Sequence, residues 1–326
     1  MRMIQKALFI VLGLCLTLTL SHAQEDVSYL LTASGKDDVN TVNAMLASGA
    51  SPNAKDRNGI TALMYAARKN SVGATNALLA KGAEIDAKDD TGWTALMFAI
   101  KKKSLPVAKL LLEKGANPNV LNPNGWSAVN LAALGGQADI LALLLDHGID
   151  VNATNKDAKT PLMFAAKNGD PATIKVLLDH QANVFPQDNA GLNAFIYAAR
   201  EGKAEAITLM ANHLNQPDLA SVRLSVINQI DHQEWIALTW AVKKSQYNAI
   251  KALIEAGADV NHRDAEDTPI LHIAVSNGDE SIAKLLLENK ANVGAKDKYG
   301  LTALVYALKG QHTAIAQLIK QAGGSY

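Results

Sequence analysis

The sequence predicts an all-α solenoid of nine helical hairpins stacked in series. Three observations carry that prediction. A glycine recurs at Gly49, Gly82, Gly115 and Gly148, each step being 33 residues. Related decapeptides begin at Thr61, Thr94 and Thr160: TALMYAARKN, TALMFAIKKK and TPLMFAAKNG. The chain is 48% hydrophobic with only 5% aromatics, so its core must be Leu and Ala on closely packed helices. A period of this size marks units that cannot bury their apolar faces alone and are stable only when stacked.

The first residues have a different character. Arg2 and Lys6 make a positive start, Ala7 to Leu20 is apolar, and Ser21-His22-Ala23 places small residues at the −3 and −1 positions of a cleavage site. By charge, length and exit, residues 1–23 read as a secretory signal peptide, cleaved after Ala23. A membrane anchor would need about 20 apolar residues. A lipoprotein site at Cys15 would need a small residue where Leu14 stands. Without Arg2 and Lys6, 29 basic residues face 31 acidic ones, for a net charge of −2, and no cysteine is left. A cysteine-free exported chain suits an oxidising compartment, so we expect it to be periplasmic or secreted, with the periplasm favoured. One cysteine also excludes a disulfide framework and a Cys-based zinc site.

Residues 24–326 read as the repeat array, with units starting near positions 23, 56, 89, 122, 155, 188, 231, 264 and 297. Within a unit, a polar tip such as Asp89-Asp90-Thr91-Gly92 precedes a short helix with Leu96 and Ala99 on its buried side. A turn follows, with Ser104 or Asp170 as N-caps and Pro171 at the first helical position. The second helix carries Leu110 to Leu112 and stops at Lys114-Gly115, where glycine permits a left-handed end. Paired alanines (Ala66-Ala67, Ala132-Ala133 and Ala165-Ala166) let the helices approach closely. The period breaks once, where ten extra residues fall within 212–226. Leu219, Val222 and Val226 fit a helix begun near Pro217 and Asp218. The insertion reads equally as a binding loop or as a joint between six repeats and three.

A 33-residue unit with D-x-x-G-x-T-P-L, then A-A, then L-L-x-x-G-A-x-x-N resembles the ankyrin repeat. Thr160-Pro161-Leu162, Ala165-Ala166 and Leu177-Leu178 carry the resemblance, as does Gly257-Ala258-Asp259-Val260-Asn261. It covers the whole predicted array. It implies helix-turn-helix units joined by β-hairpin loops, and a long concave face of loop tips and first helices. Spacing of about 10 Å per unit would make the array roughly 90 Å long. The sequence departs from the family pattern at the histidine that ties neighbouring loops together. Met64, Met97, Asn130, Met163, Ile196, Thr239 and Val305 take its place, and only His272 keeps it. Apolar packing is expected to replace the missing hydrogen bonds, with Met as gap-filler. The turn glycine is lost at Ala158, Glu234 and Asp267, so irregular tips are expected there.

No catalytic motif is present: no H-E-x-x-H, G-x-x-x-x-G-K-[ST], G-x-S-x-G or G-x-G-x-x-G. His147, His180 and His213 recur at 33-residue steps but belong to helix ends, with stacked units too far apart to share a metal. No cofactor or metal is expected. The resemblance implies that the residue before each Thr-type position lies on the binding face. Here it is Ile60, Trp93, Trp126, Lys159, Leu192, Trp235, Thr268 and Leu301. Three of the four tryptophans occupy this one position, and Trp is enriched at binding hot spots. The other reading is that each Trp caps its neighbour's loop. Trp240 falls in a separate row with Tyr65, Phe98, Phe164, Tyr197 and Tyr306, which reads as semi-buried framework. A basic series closes the first helices at Arg68-Lys69, Lys101-Lys102-Lys103, Lys167, Arg200, Lys243-Lys244 and Lys309, opposite acidic tips at Asp56, Asp89, Asp188, Asp231, Asp264 and Asp297. Helix ends alone would favour those cations.

The expected function is an exported, non-catalytic, monomeric scaffold that binds a protein partner, one with an acidic surface, through its concave face. The anchors would be Trp93, Trp126 and Trp235, beside Lys159 and Leu192, with Lys101, Lys102, Arg200 and Lys243 setting orientation. The balanced charge argues against nucleic acid, and no membrane insertion is expected after cleavage. The alternatives are an inhibitor or immunity protein and, less favoured, a small-ligand receptor or enzyme built on the array.

Overall fold

The computed structural model describes residues 27–326; the proposed signal peptide, residues 1–23, lies outside them. The helices come in pairs. Helix α1 (27–35) precedes α2 (Val39–Ala47). Then follow α3 (Ala62–Lys69) with α4 (Val72–Ala80), α5 (Ala95–Lys101) with α6 (Leu105–Glu113), and α7 (Ala128–Leu134) with α8 (Ala138–Asp146). Next come α9 (Pro161–Asn168) with α10 (Pro171–Asp179), and α11 (Ala194–Arg200) with α12 (Ala204–His213). A short α13 (Arg223–Ile227) intervenes. The last pairs are α14 (Ala237–Lys243) with α15 (Tyr247–Ala256), α16 (Ile270–Asn277) with α17 (Glu280–Glu288), and α18 (Ala303–Lys309) with α19 (Thr313–Gln321). These are the nine hairpins that the period predicts. Among the described residues the predicted β-hairpins contribute no strand, only isolated bridges at Lys55–Thr61, Arg263–Pro269 and Lys296–Thr302.

Local chemistry sets where the helices start. Thr61, Thr94, Ser127, Thr160 and Asn193 each accept, through the side chain, the backbone N–H three residues on. Each such cap stabilises by about 1 kcal/mol. Asp170 caps α10 in the same way with Pro171 behind it, whereas Ser104 sits at the N-cap of α6 without a side-chain hydrogen bond. Second helices end in the left-handed region: at Gly115, φ is 89°, and Gln181 and Lys290 hold φ of 60° and 68° at the equivalent positions.

The chain divides into two compact units: residues up to Gly135 with Ala142–Ile149, and Gly136–Leu141 with Asp150–Tyr326. In the first unit, α3, α5 and α7 pack one on the next, and α2, α4 and α6 do likewise. In the second unit, α9, α11, α14, α16 and α18 form one row and α10, α12, α15, α17 and α19 the other. The paired alanines named above are fully buried, which is what brings the two rows together. Met64, Met97 and Met163 are buried with them, filling the space that the histidine would occupy.

The insertion is helical but starts later than Pro217. A 3-10 turn (Ala220–Val222) leads directly into α13, and Val226 and Ile227 are buried. Asn193 fastens it by donating from Nδ2 to the Val226 carbonyl (3.2 Å) and to Gln229 Oε1 (2.9 Å). Residues 214–219 are spent on the turn that leaves α12, with the Asn215 and Gln216 N–H groups returned to carbonyls of its last residues.

Candidate protein-interaction surface

Eight loop tips share one construction. The residue that opens each tip is Asp56, Asp89, Asn122, Asn155, Asp188, Asp231, Asp264 or Asp297. Its backbone N–H donates to the carbonyl four residues on. Its Oδ1 accepts the backbone N–H groups two and four residues on; at Asp89 these bonds, from Thr91 and Trp93, are 2.9 and 2.8 Å. The other seven tips repeat the pattern. The variable residue is therefore pinned by two hydrogen bonds whatever its side chain, so its entropic cost of ordering is met before any partner arrives.

The acidic tips opposite the basic series are thus occupied. The carboxylates are turn acceptors, and Asp188, Asp231 and Asp297 are buried. Their second oxygens accept from Tyr197 Oη (2.6 Å), Trp240 Nε1 (2.7 Å) and Tyr306 Oη (2.6 Å). Burial, then the Asp188 hydrogen bond, pushes the Tyr197 hydroxyl above its ordinary range. The Asp297 hydrogen bond, then burial, raises Tyr306 to about 12. Burial raises the Asp297 carboxyl, but the Tyr306, Leu301 and Tyr299 donors outweigh it and leave the group below its ordinary range. The aromatic row is thus built into the framework. The tips at Ala158, Glu234 and Asp267 are regular, contrary to expectation: these residues adopt φ of 61°, 56° and 57°, as the turn glycines do. The Asx hydrogen bonds hold the turn despite the left-handed strain.

Trp93, Trp126 and Trp235 are half-buried. Trp93 packs on Phe98 at 5.3 Å between ring centroids, and Trp235 meets Trp240 edge-on at 4.8 Å. Both lean on the first helix of their own repeat. Trp93 and Trp126 belong to the first unit and Trp235, Lys159 and Leu192 to the second. Leu192 is only 7% exposed, so it is core and offers a partner little surface. Lys159 pairs with Asp157 at 3.6 Å and lies 6.0 Å from the Tyr197 ring. Arg200 stacks over Trp240 at 4.5 Å, and Arg68 lies within 5.6 Å of both Tyr65 and Phe98. Lys101, Lys102 and Lys243 are exposed. The basic series is therefore of two kinds: cations laid on the aromatic row, and cations free to meet a ligand.

His147 and His180 bond through Nδ1 to Leu143 and Val176 carbonyls of their own helices at 2.7 and 2.8 Å, and His213 meets Gln216 at 3.2 Å. Among the described residues no group of His, Cys, Asp or Glu could hold a metal ion, and no helix is long and apolar enough to cross a membrane. His272 does tie neighbouring loops: its Nε2 lies 3.0 Å from the Leu301 carbonyl.

Two sets of clips escaped the sequence reading. Asn53, Asp86, Asn152, Asn228 and Asn261 each accept, through Oδ1, the backbone N–H 31 residues on, at 2.7 to 2.9 Å. Lys55, Lys88 and Arg263 donate to carbonyls 33 residues on. The recurrent Asn after G-A-x-x was the available signal for the first set.

The family model for ankyrin repeats matches residues 30–122, 114–188, 165–264 and 256–325. A putative ankyrin repeat protein, L371, of Acanthamoeba polyphaga mimivirus is 32% identical over 106 residues, 32% of this chain and 14% of the viral protein. Serine/threonine-protein kinase 12 of Arabidopsis thaliana is 30% identical over 91 residues, 28% of this chain and 20% of the kinase. The putative ankyrin repeat protein YahD of Escherichia coli (strain K12) is 31% identical over 91 residues, 28% of this chain and 45% of its own length. The chain thus spans less than half the length of each of these relatives. Family-model coverage runs almost throughout the chain, so the kinase likeness is a likeness of repeats.

Proposed function

The chain belongs to the ankyrin repeat family, and from that premise we propose that it is an exported, non-catalytic scaffold that captures a protein partner on its first-helix and loop-tip face. Ankyrin repeats mediate protein–protein interaction and are typically non-catalytic. The observation that carries the reading is the placement of Trp93, Trp126 and Trp235 at the one pinned, sequence-variable position of the tip. A large ring with few rotors, on a backbone already ordered, loses little entropy on binding. Exposed Lys101, Lys102 and Lys243 favour an acidic partner surface and set its orientation. The export reading rests on Arg2, Lys6 and the apolar run to Leu20. An inhibitor or immunity protein would use the same face in the same way.

Replacing Trp93, Trp126 and Trp235 together by Ala should weaken capture of a crosslinked partner from periplasmic extract by about a hundredfold, the scale of hot-spot losses. The melting temperature should change little. Unchanged capture would overturn the site.

A further inference from the structure

In the second unit, an open depression of about 220 Å³ is lined by Trp235, Lys243, Asp264, Thr268, His272, Ser276 and Tyr306, among others. Three acidic tips close their second carboxylate oxygen internally; among the described residues Asp264 does not, and neither does Asp89, which is followed nine residues on by Phe98. At Asp188, Asp231 and Asp297 the second carboxylate oxygen is closed by an aromatic donor nine residues on. Nine residues after Asp264 stands Ile273, which has nothing to donate. Asp264 Oδ1 accepts from Glu266 and Thr268, and among the described residues no side chain closes Oδ2. His272, 1% exposed, also lines the depression. Its Nε2 faces the Leu301 carbonyl and so carries the proton, which leaves Nδ1 as a buried lone pair without a partner. Asp264 Oδ2 is an open acceptor, and the walls beside it include the rings of Trp235 and Tyr306.

We propose that this depression is the anchor point for an arginine side chain of the protein partner. The inference rests on the protein-binding reading above and names the chemistry of one contact. A guanidinium offers planar donors to Asp264 Oδ2 and a weakly hydrated face to an aromatic ring. Lys243 stands at the rim, exposed, where a carboxylate of the same partner segment would fall. The partner segment therefore carries an arginine towards the loop tip and acidic residues towards the helix end.

The test is a titration of the full chain with capped arginine (N-acetyl-arginine amide), followed by NMR at the Trp235 indole and the His272 ring. Capped citrulline, the uncharged isostere, and capped glutamate serve as controls. Capped arginine should shift both signals, and the controls should leave them in place. Asp264→Asn should weaken the response about tenfold, the weight of a charge-assisted hydrogen bond. This variant keeps the turn, because Asn122 and Asn155 form the same one. Ile273→Tyr, which supplies the internal donor found at Tyr197 and Tyr306, should weaken it as much. An equal response to citrulline, a stronger one to glutamate, or indifference to both variants would overturn the proposal. The titration uses no partner, so it fails separately from the reading beneath it. Tryptophan-dependent capture without an arginine response would overturn the depression alone. An arginine response with capture indifferent to the tryptophans would overturn the wider reading alone.

Discussion

Helices α9 and α16 enter on the same backbone path and satisfy it in different ways. At α9, Thr160 Oγ1 accepts from Met163 N–H, and Thr160 N–H points to Met163 Sδ, both within 3.4 Å. The two residues meet each other's needs inside one repeat. At α16 the cap is Pro269, which has neither hydroxyl nor N–H, and the facing residue is His272. The ring spends Nε2 on the next repeat's Leu301 carbonyl and leaves Nδ1 with nothing. One entrance places its stability within the unit; the other places it in the contact with its neighbour. In a repeat array these are separate terms, and a sequence can exchange one for the other.

The comparison breaks most visibly at the packed side chain. Met163→Ala should cost about 3 kcal/mol, as large-to-small changes at fully buried positions do. Hydrogen exchange on α9 should report the loss first. A cost below about 1 kcal/mol would mean that the cavity collapses and that the methionine is not the local support.

Pro269→Thr should convert the second entrance into the first. The new N–H can donate to the idle Nδ1, while His272 N–H already donates to the carbonyl of residue 269 at 2.9 Å. A gain of about 1 kcal/mol in urea unfolding follows from the one rescued buried acceptor. No gain would show that Nδ1 is out of reach of residue 269.

The tips before these helices sharpen the contrast at lower energy. Ala158 holds φ of 61° with no side-chain compensation, while Asp267, at 57°, receives Arg263 at 2.8 Å. Ala158→Gly should gain roughly 0.5 kcal/mol, the left-handed penalty less the extra entropy that glycine loses. Asp267→Gly should gain nothing, because it gives up that ion pair. Equal gains in thermal melts would sink the distinction.

How much of this was readable follows from what repeats. The 33-residue step gave the nine hairpins, and the alanine pairs and capping threonines gave their packing and starts, because each is a local rule applied many times. The loss of glycine at Ala158, Glu234 and Asp267 misled, since the opening Asp or Asn holds the turn through hydrogen bonds that one position cannot reveal. Leu192 read as surface because its column holds Trp and Lys elsewhere, yet burial depends on how the tip sits against its neighbours. The open oxygen of Asp264 was legible only by comparing it with Tyr197, Trp240 and Tyr306 nine residues after their own aspartates. That comparison needs to know that the two positions touch.

The smallest effect is one of pH, and it isolates His272. Burial lowers the affinity of this ring for a proton; the Leu301 carbonyl and Asp297 pull it back up, and Arg263 lowers it further. Above about pH 6.5 the ring is neutral in folded and unfolded chains alike, so its stabilising contribution is fully present. Below that, the unfolded chain binds a proton that the folded one resists, so stability falls as pH falls towards the folded value. Asp297, held low, releases its own contribution only in a more acidic window, and Tyr306, at about 12, in a more basic one. His272→Met installs the solution found at Met64, Met97 and Met163 and removes this titration. The urea midpoint of the variant should therefore drop less between pH 7.5 and 5.5 than that of the parent. Parallel drops would mean that the histidine is as free to take a proton in the folded chain as in the unfolded one, and that the entrance to α16 is not the closed polar site its contacts describe.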